Sequence, residues 1–173
     1  MAIYALGDSA PTIDPSAYVH PDATVIGNVT IGPESTVWPQ TVLRGDYGYI
    51  EVGDRTSIQD GSVIHTTAWM PTIIGDDCVI GHLVHLECCT VHNGALVGTG
   101  SIVLHGAVIE SGAWVGAGAV APNRMVVPSG AMALGVPAKL REGVVDPEEI
   151  QRMADLYIGN AKRYHAELRR LSP

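Results

Sequence analysis

The sequence predicts a parallel β-helix followed by a C-terminal α-helix, on three observations. Aliphatic residues recur every six positions, a small residue precedes most of them by two places, and the 173-residue chain holds no Phe and only 5% aromatic residues. Strand side chains alternate between faces, so a small and an aliphatic residue two apart both point inward, and the residues after them can turn a corner. Six residues then make one side of a prism. Three sides closing into a coil stack each coil about 4.8 Å above the last, with an interior too narrow for aromatic rings.

The aliphatic series runs Ile13, Val19, Val25, Ile31, Val37, Leu43, then Val52, Ile58, Ile64, then Ile74, Ile80, Leu86. After a one-residue slip it resumes at Val91, Val97, Val103, Ile109 and Val115. Small residues such as Ala23, Ser35, Thr41, Thr56, Ser62, Cys78 and Ala95 hold the fixed offset, and Gly often follows the aliphatic residue, as at Gly32, Gly53 and Gly75. A sandwich of short strands would require neither regularity. The prism is assigned residues 1–140.

Residues 146–171 change character. Asp146-Pro147-Glu148-Glu149 supplies a cap, a helix-compatible Pro and an acid three residues after the cap. Ile150, Met153, Tyr157, Ala161, Tyr164, Leu168 and Leu171 then follow at steps of three and four. This is one apolar stripe, expected to lie along the prism or on a neighbouring subunit.

Lys and Arg number 10 against 18 Asp and Glu, a net charge of −8. That balance argues against a nucleic-acid partner, which calls for a basic patch. The uncharged stretch between Glu87 and Glu110 is interrupted by Gly, His, Asn, Thr and Ser, so no membrane span is expected. Met1 to Ala5 carries no basic head or sustained apolar run, and a cytoplasmic location is the default expectation. Cys78, Cys88 and Cys89 read as reduced thiols.

Stacking the coils places Leu43, Ile64 and Leu86 above one another. The residues after them, Arg44, His65 and Glu87, form an outward column at about 4.8 Å spacing. On the adjoining side Gln59 faces outward, and Asp60 and His82 share a corner in successive coils. His65, His82 and His85 with Glu87 make a metal-ligand set of the zinc type. Side chains leaving a convex prism converge only when a second prism meets them, so the site is expected between subunits. The loop Thr66–Thr72 leaves the prism beside it.

These residues resemble the gamma-class carbonic anhydrases, trimeric left-handed β-helix proteins of the hexapeptide-repeat superfamily. Arg44-Gly45-Asp46, the run Ser57 to His65, and Ile80-Gly81-His82 continuing to Cys89-Thr90-Val91 carry the resemblance, which covers essentially the whole chain. It implies a left hand, a homotrimer and zinc, or another divalent transition metal such as iron or cobalt, held across a subunit interface. His65 and His82 match the first two ligands. Glu87 stands where the family has its third histidine.

Two histidines and a glutamate are a known catalytic zinc set, so Glu87 can coordinate, although an anionic ligand leaves bound water less acidic. His85 substituting for the lost ring, or an Arg44–Glu87 pair with no metal, are the other readings. The resemblance further implies hydration of carbon dioxide to bicarbonate by zinc-bound hydroxide. Arg44 and Asp60 would form an intersubunit ion pair, catalytic or merely structural, with Gln59 hydrogen-bonding hydroxide or bicarbonate and Asp46 supporting Arg44. Tyr47 and Thr66-Thr67-Ala68 stand where the family's acidic proton shuttles are expected, so hydration should be slow. Cys88 falls at a corner and reads as a buried or half-buried thiol rather than a ligand, and His105 as a surface residue one coil above.

Two other classes remain open. One is a hexapeptide-repeat acyltransferase, which has no need of the linked set Arg44, Asp46, Gln59, Asp60, His65 and His82. The other is a catalytically inactive trimeric scaffold or metal-binding protein.

Overall fold

The computed structural model describes residues 2–171 and is a left-handed parallel β-helix carrying one C-terminal helix, as the repeat and the resemblance together predict. One face is a ladder of seven parallel strands from Tyr18–Val19 through Ser57–Ile58 and Val79–Ile80 to Met132–Leu134. An antiparallel strand, Lys139–Arg141, closes that ladder. Strands Thr24–Ile31 and Val42–Val52 are long enough to round a corner, which joins the other two faces into one sheet.

Sequence period and register agree. Leu43 pairs with Ile64 and Ile64 with Leu86, and all three are fully buried. The stack runs on through Val103 to Ala121. Ile13, at the open end, is the one half-buried member of the predicted series. The small inward residues do more than leave room, because their hydroxyls tie successive coils together. Ser35 Oγ donates to the Gly53 carbonyl at 2.6 Å, Thr56 Oγ1 to Gly75 at 2.6 Å and Ser62 Oγ to Gly81 at 2.9 Å. A hydroxyl that finds a carbonyl this way spares the core a buried unpaired donor.

Corners fall three residues after the aliphatic position, in the left-handed region, as at Gln40 (φ 59°) and Leu83 (φ 58°). The slip after Leu86 is a corner one residue early, at Cys88 (φ 54°). On the third face Gly53 follows Val52 because a Cβ there would lie 2.6 Å from the Gly75 backbone carbon of the next coil.

The helix α1 spans Pro147–Glu167, with Asp146 as its cap: its Oδ1 accepts from the Glu148 amide at 3.0 Å. It lies along its own prism, against the seven-strand face, through Ile150 and Ala154 packed on Val79 and Leu96. The buried residues are Ile150, Ala154, Ile158 and Ala161, a stripe rotated slightly from the predicted one, with Met153, Tyr157 and Tyr164 flanking it. Helix geometry ends at Glu167, short of the predicted 171, because Leu168 turns extended (ψ 123°). Leu168 and Leu171 are exposed accordingly.

Arg55 pins the helix: its guanidinium donates to Asp77 on the prism at 2.8 Å and to Asp155 of α1 at 2.5 Å. Trp38, beneath the helix, stacks edge-on against Tyr157 and Tyr164 and donates its indole N–H to Thr36 and Ser57. With this face covered, the apolar column Val42, Val63, Ile102 and Val120 on the adjoining face is left partly open, with His85 in its middle. Among the described residues no helix is long and apolar enough to cross a membrane.

Candidate functional site

The outward column forms in the register expected: Arg44 stands opposite His65, and His65 opposite Glu87. Its side chains are chained together. His65 Nε2 lies 3.0 Å from Asp46 Oδ1, and His65 Nδ1 lies 2.9 Å from Glu87 Oε1. Arg44 pairs with the other oxygen of Asp46. The Arg44–Glu87 contact weighed from the sequence is not what forms, because His65 stands between them.

Asp46 reaches His65 because its loop is pressed down on its neighbours. A Cβ on Gly45 would lie 2.9 Å from the Asn28 carbonyl carbon, and one on Gly48 would strike the Thr67 carbonyl oxygen. Only glycine permits that approach. Tyr47 between them is exposed, as is Trp69 in the neighbouring loop.

Glu87 is the hub. Beyond His65, its Oε2 lies 3.5 Å from His85 Nε2 and 3.4 Å from His105 Nε2. Partial burial works to raise the Glu87 carboxyl, but the three imidazoles outweigh it and hold the group below its ordinary range. Asp46 behaves alike: burial opposes ionisation, and Arg44 and His65 more than offset it.

His82 belongs to another edge. Its Nδ1 lies 2.9 Å from Asp60 Oδ2, so Asp60 and His82 share a corner as predicted, and the ring's Nε2 is left for another partner. Among the described residues no three His, Cys, Asp or Glu side chains of one chain are arranged to hold a metal ion. The residues expected to pair between subunits each have a partner within the chain, Arg44 on Asp46 and Asp60 on His82.

One expectation needs correcting: Gln59, read as facing outward, is only 4% exposed, because α1 packs over the face that carries Ser57–Ile58. His105 is a surface residue as expected, its side chain 40% exposed, and it also faces Glu87 at 3.4 Å. The signal was available: His105 follows its aliphatic residue, Val103, by two places, as Cys88 follows Leu86, which sets it one coil above the Glu87 corner. Cys88 is buried with its Sγ 3.3 Å from Thr67 Oγ1, and burial pushes the Cys78 and Cys89 thiols up to about 12.

A carbonic anhydrase from Geobacillus kaustophilus is 42% identical over 166 residues, covering 95% of this chain and 91% of that one. The chain belongs to the gamma-class carbonic anhydrase-like family of hexapeptide-repeat proteins. Mitochondrial gamma carbonic anhydrase 2 of Arabidopsis thaliana is 38% identical over 168 residues, 92% of this chain. This gamma-class chain spans only 60% of that plant protein's length. No family model matches the chain. Among solved structures, a Bacillus cereus protein provisionally named an acetyltransferase superposes with a TM-score of 0.93 at 35% identity, covering 95% of this chain and 97% of that one.

Proposed function

We propose that this gamma-class protein binds a divalent metal between subunits of a homotrimer and uses it for slow, reversible hydration of carbon dioxide. His65 and Glu87 of one subunit and His82 of the next would hold the metal, zinc by donor type, with iron and cobalt as the alternatives. The observation that carries this reading is the position of His65 between two carboxylates. A neutral imidazole donates one hydrogen, yet carboxylate oxygens stand 3.0 and 2.9 Å from its two nitrogens. A metal cation in place of one hydrogen satisfies such a setting, with the other nitrogen oriented by a carboxylate, as metal-binding histidines usually are. The Asp60–His82 pair repeats that arrangement at the edge a neighbouring subunit would present.

When bound, the metal supplies hydroxide at neutral pH by acidifying water. The protein's own residues do the rest. Asp46 orients His65, and Arg44 fixes Asp46 and keeps a positive charge beside the site for a bicarbonate anion. Asp60 holds His82, and Gln59 provides an amide close to the Asp60 corner. The open apolar column beside the site is the surface suited to meet the neighbouring subunit.

Metal analysis with hydration assays on wild type, His65→Ala and His82→Ala tests this reading. Metal near one per subunit in wild type, absent from both variants along with activity, is the expected result. Metal-free wild type would overturn it and leave a structural trimer. The acetyltransferase name of the Bacillus cereus neighbour favours a second reading, acyl transfer. Acetyl-CoA consumption that survives in His82→Ala would support it.

A further inference from the structure

We propose that Thr72 is a positioning residue for the His65–Glu87 pair, its hydroxyl standing in for two backbone bonds and so setting the spacing of the two ligand strands. The inference rests on the metal reading above and concerns a buried side chain that does not itself touch the metal.

The repeat has two irregularities beside the site, and each follows a ligand. After His65 the chain leaves the prism over residues 66–71, and after Glu87 the corner comes one residue early, at Cys88. Elsewhere the carbonyl in the place of His65 closes its corner by accepting from the amide three residues on, as Leu104 does from Ala107 at 3.0 Å and Glu110 from Ala113 at 2.9 Å. Corner amides elsewhere donate to the coil below, Leu83 to Asp60 at 2.9 Å and Gly106 to Cys88 at 2.7 Å. With residues 66–71 drawn out as a loop, neither bond is made at this corner among the described residues.

Thr72 supplies both. Its Oγ1 donates to the His65 carbonyl at 2.5 Å and accepts from the Cys88 amide at 2.8 Å. A hydroxyl has one hydrogen to give and lone pairs to receive, which is what a free carbonyl and a free amide require. Thr72 is fully buried, so solvent does not reach it to take over either role. His65 and Glu87 are register partners on adjacent strands, with side chains 2.9 Å apart. One oxygen atom thus joins the backbone of the first ligand to the residue beside the second.

Without that oxygen the amide and carbonyl must close on one another or stay unpaired. Closure shifts His65 against Glu87, and a shift of about 1 Å takes their contact out of hydrogen-bonding range. Thr56 is the natural comparison. Its Oγ1 also relays, donating to the Gly75 carbonyl at 2.6 Å and accepting from the Cys78 amide at 3.0 Å, on a stretch that carries no ligand.

The test compares wild type, Thr72→Val, Thr72→Ser and Thr56→Val. Zinc affinity is measured by chelator competition, stability by thermal melting, and the nitrogen-15 shifts of the His65 ring by NMR on metal-free protein. Both valine variants should melt lower than wild type. Thr72→Val alone should bind zinc about tenfold more weakly and show changed His65 shifts, while Thr72→Ser, which keeps the hydroxyl, returns both toward wild type. Wild-type affinity and unchanged His65 shifts in Thr72→Val would overturn the proposal, as would an equal loss of affinity in Thr56→Val, which would make affinity a mere consequence of stability. Wild type that binds no zinc would overturn the metal reading instead, and the His65 shifts of the metal-free variants would still decide the role of Thr72.

Discussion

Gly48→Ala probes how the loop bearing Asp46 is seated on the prism. A Cβ at Gly48 would strike the Thr67 carbonyl oxygen and lie 2.8 Å from Thr66 Oγ1, where nonbonded heavy atoms prefer about 3.5 Å or more. The obstacle is backbone, so the loop must lift by roughly 1 Å. Overpacking of this kind costs about 1–3 kcal/mol. For a chain of this size each kcal/mol lowers the melting temperature by about 2–4 °C, which gives a fall of about 2–12 °C. The same lift takes the 3.0 Å Asp46–His65 contact out of hydrogen-bonding range, so metal affinity should weaken about tenfold. Gly159→Ala is the control: a Cβ there meets nothing within 4 Å, and Ala favours a helix interior by about 0.5–1 kcal/mol. Melting curves by circular dichroism and metal titration read both variants. A Gly48→Ala protein that melts and binds like wild type would refute the reasoning.

Leu86→Ala, at a fully buried position stacked between Ile64 and Val103, should cost about 2–5 kcal/mol; a loss under about 1 kcal/mol in urea unfolding would mean that the coils collapse around the cavity. Asp46 and Glu87 are held below the ordinary carboxylate range, so the stability they contribute is present above about pH 4 and is lost as pH falls through their lower folded-state values. Glu87→Gln should therefore flatten the acid limb of the metal-free protein's stability profile, and a profile parallel to wild type would contradict the coupling to the histidines. Cys78 and Cys89, pushed up to about 12 and buried, should resist alkylation at pH 8 until the protein is unfolded; modification at the rate of a free thiol would show that the coils open locally.

The prism was legible because its physics is periodic. Leu43, Ile64 and Leu86 announce themselves by spacing, and register then places Arg44, His65 and Glu87 in one column without further information. Asp60 and His82 followed from the same count. What the period did not give lies where a second element or a long side chain intervenes. Gln59 reads as open until α1 is laid over its face. His105 sits at a corner, where the next coil's backbone is visible in the count but the reach of a ring back to Glu87 is not. The helix stripe was displaced because only packing against Val79 and Leu96 decides which of two adjacent stripes is buried. How His82 would join His65 and Glu87 in the proposed metal set cannot be read from one chain, since it leaves a different edge of a convex body.

The most direct test of a metal held between subunits is complementation in mixed trimers. His65→Ala and His82→Ala chains carrying different tags are co-expressed, mixed trimers are isolated through both tags, and metal content is measured. If His65 and Glu87 meet His82 from a neighbouring chain, neither variant alone holds metal, while every mixed trimer regains one intact site of its three. Mixed trimers as empty as the two parents would contradict the shared site, as would retention of metal by either parent alone.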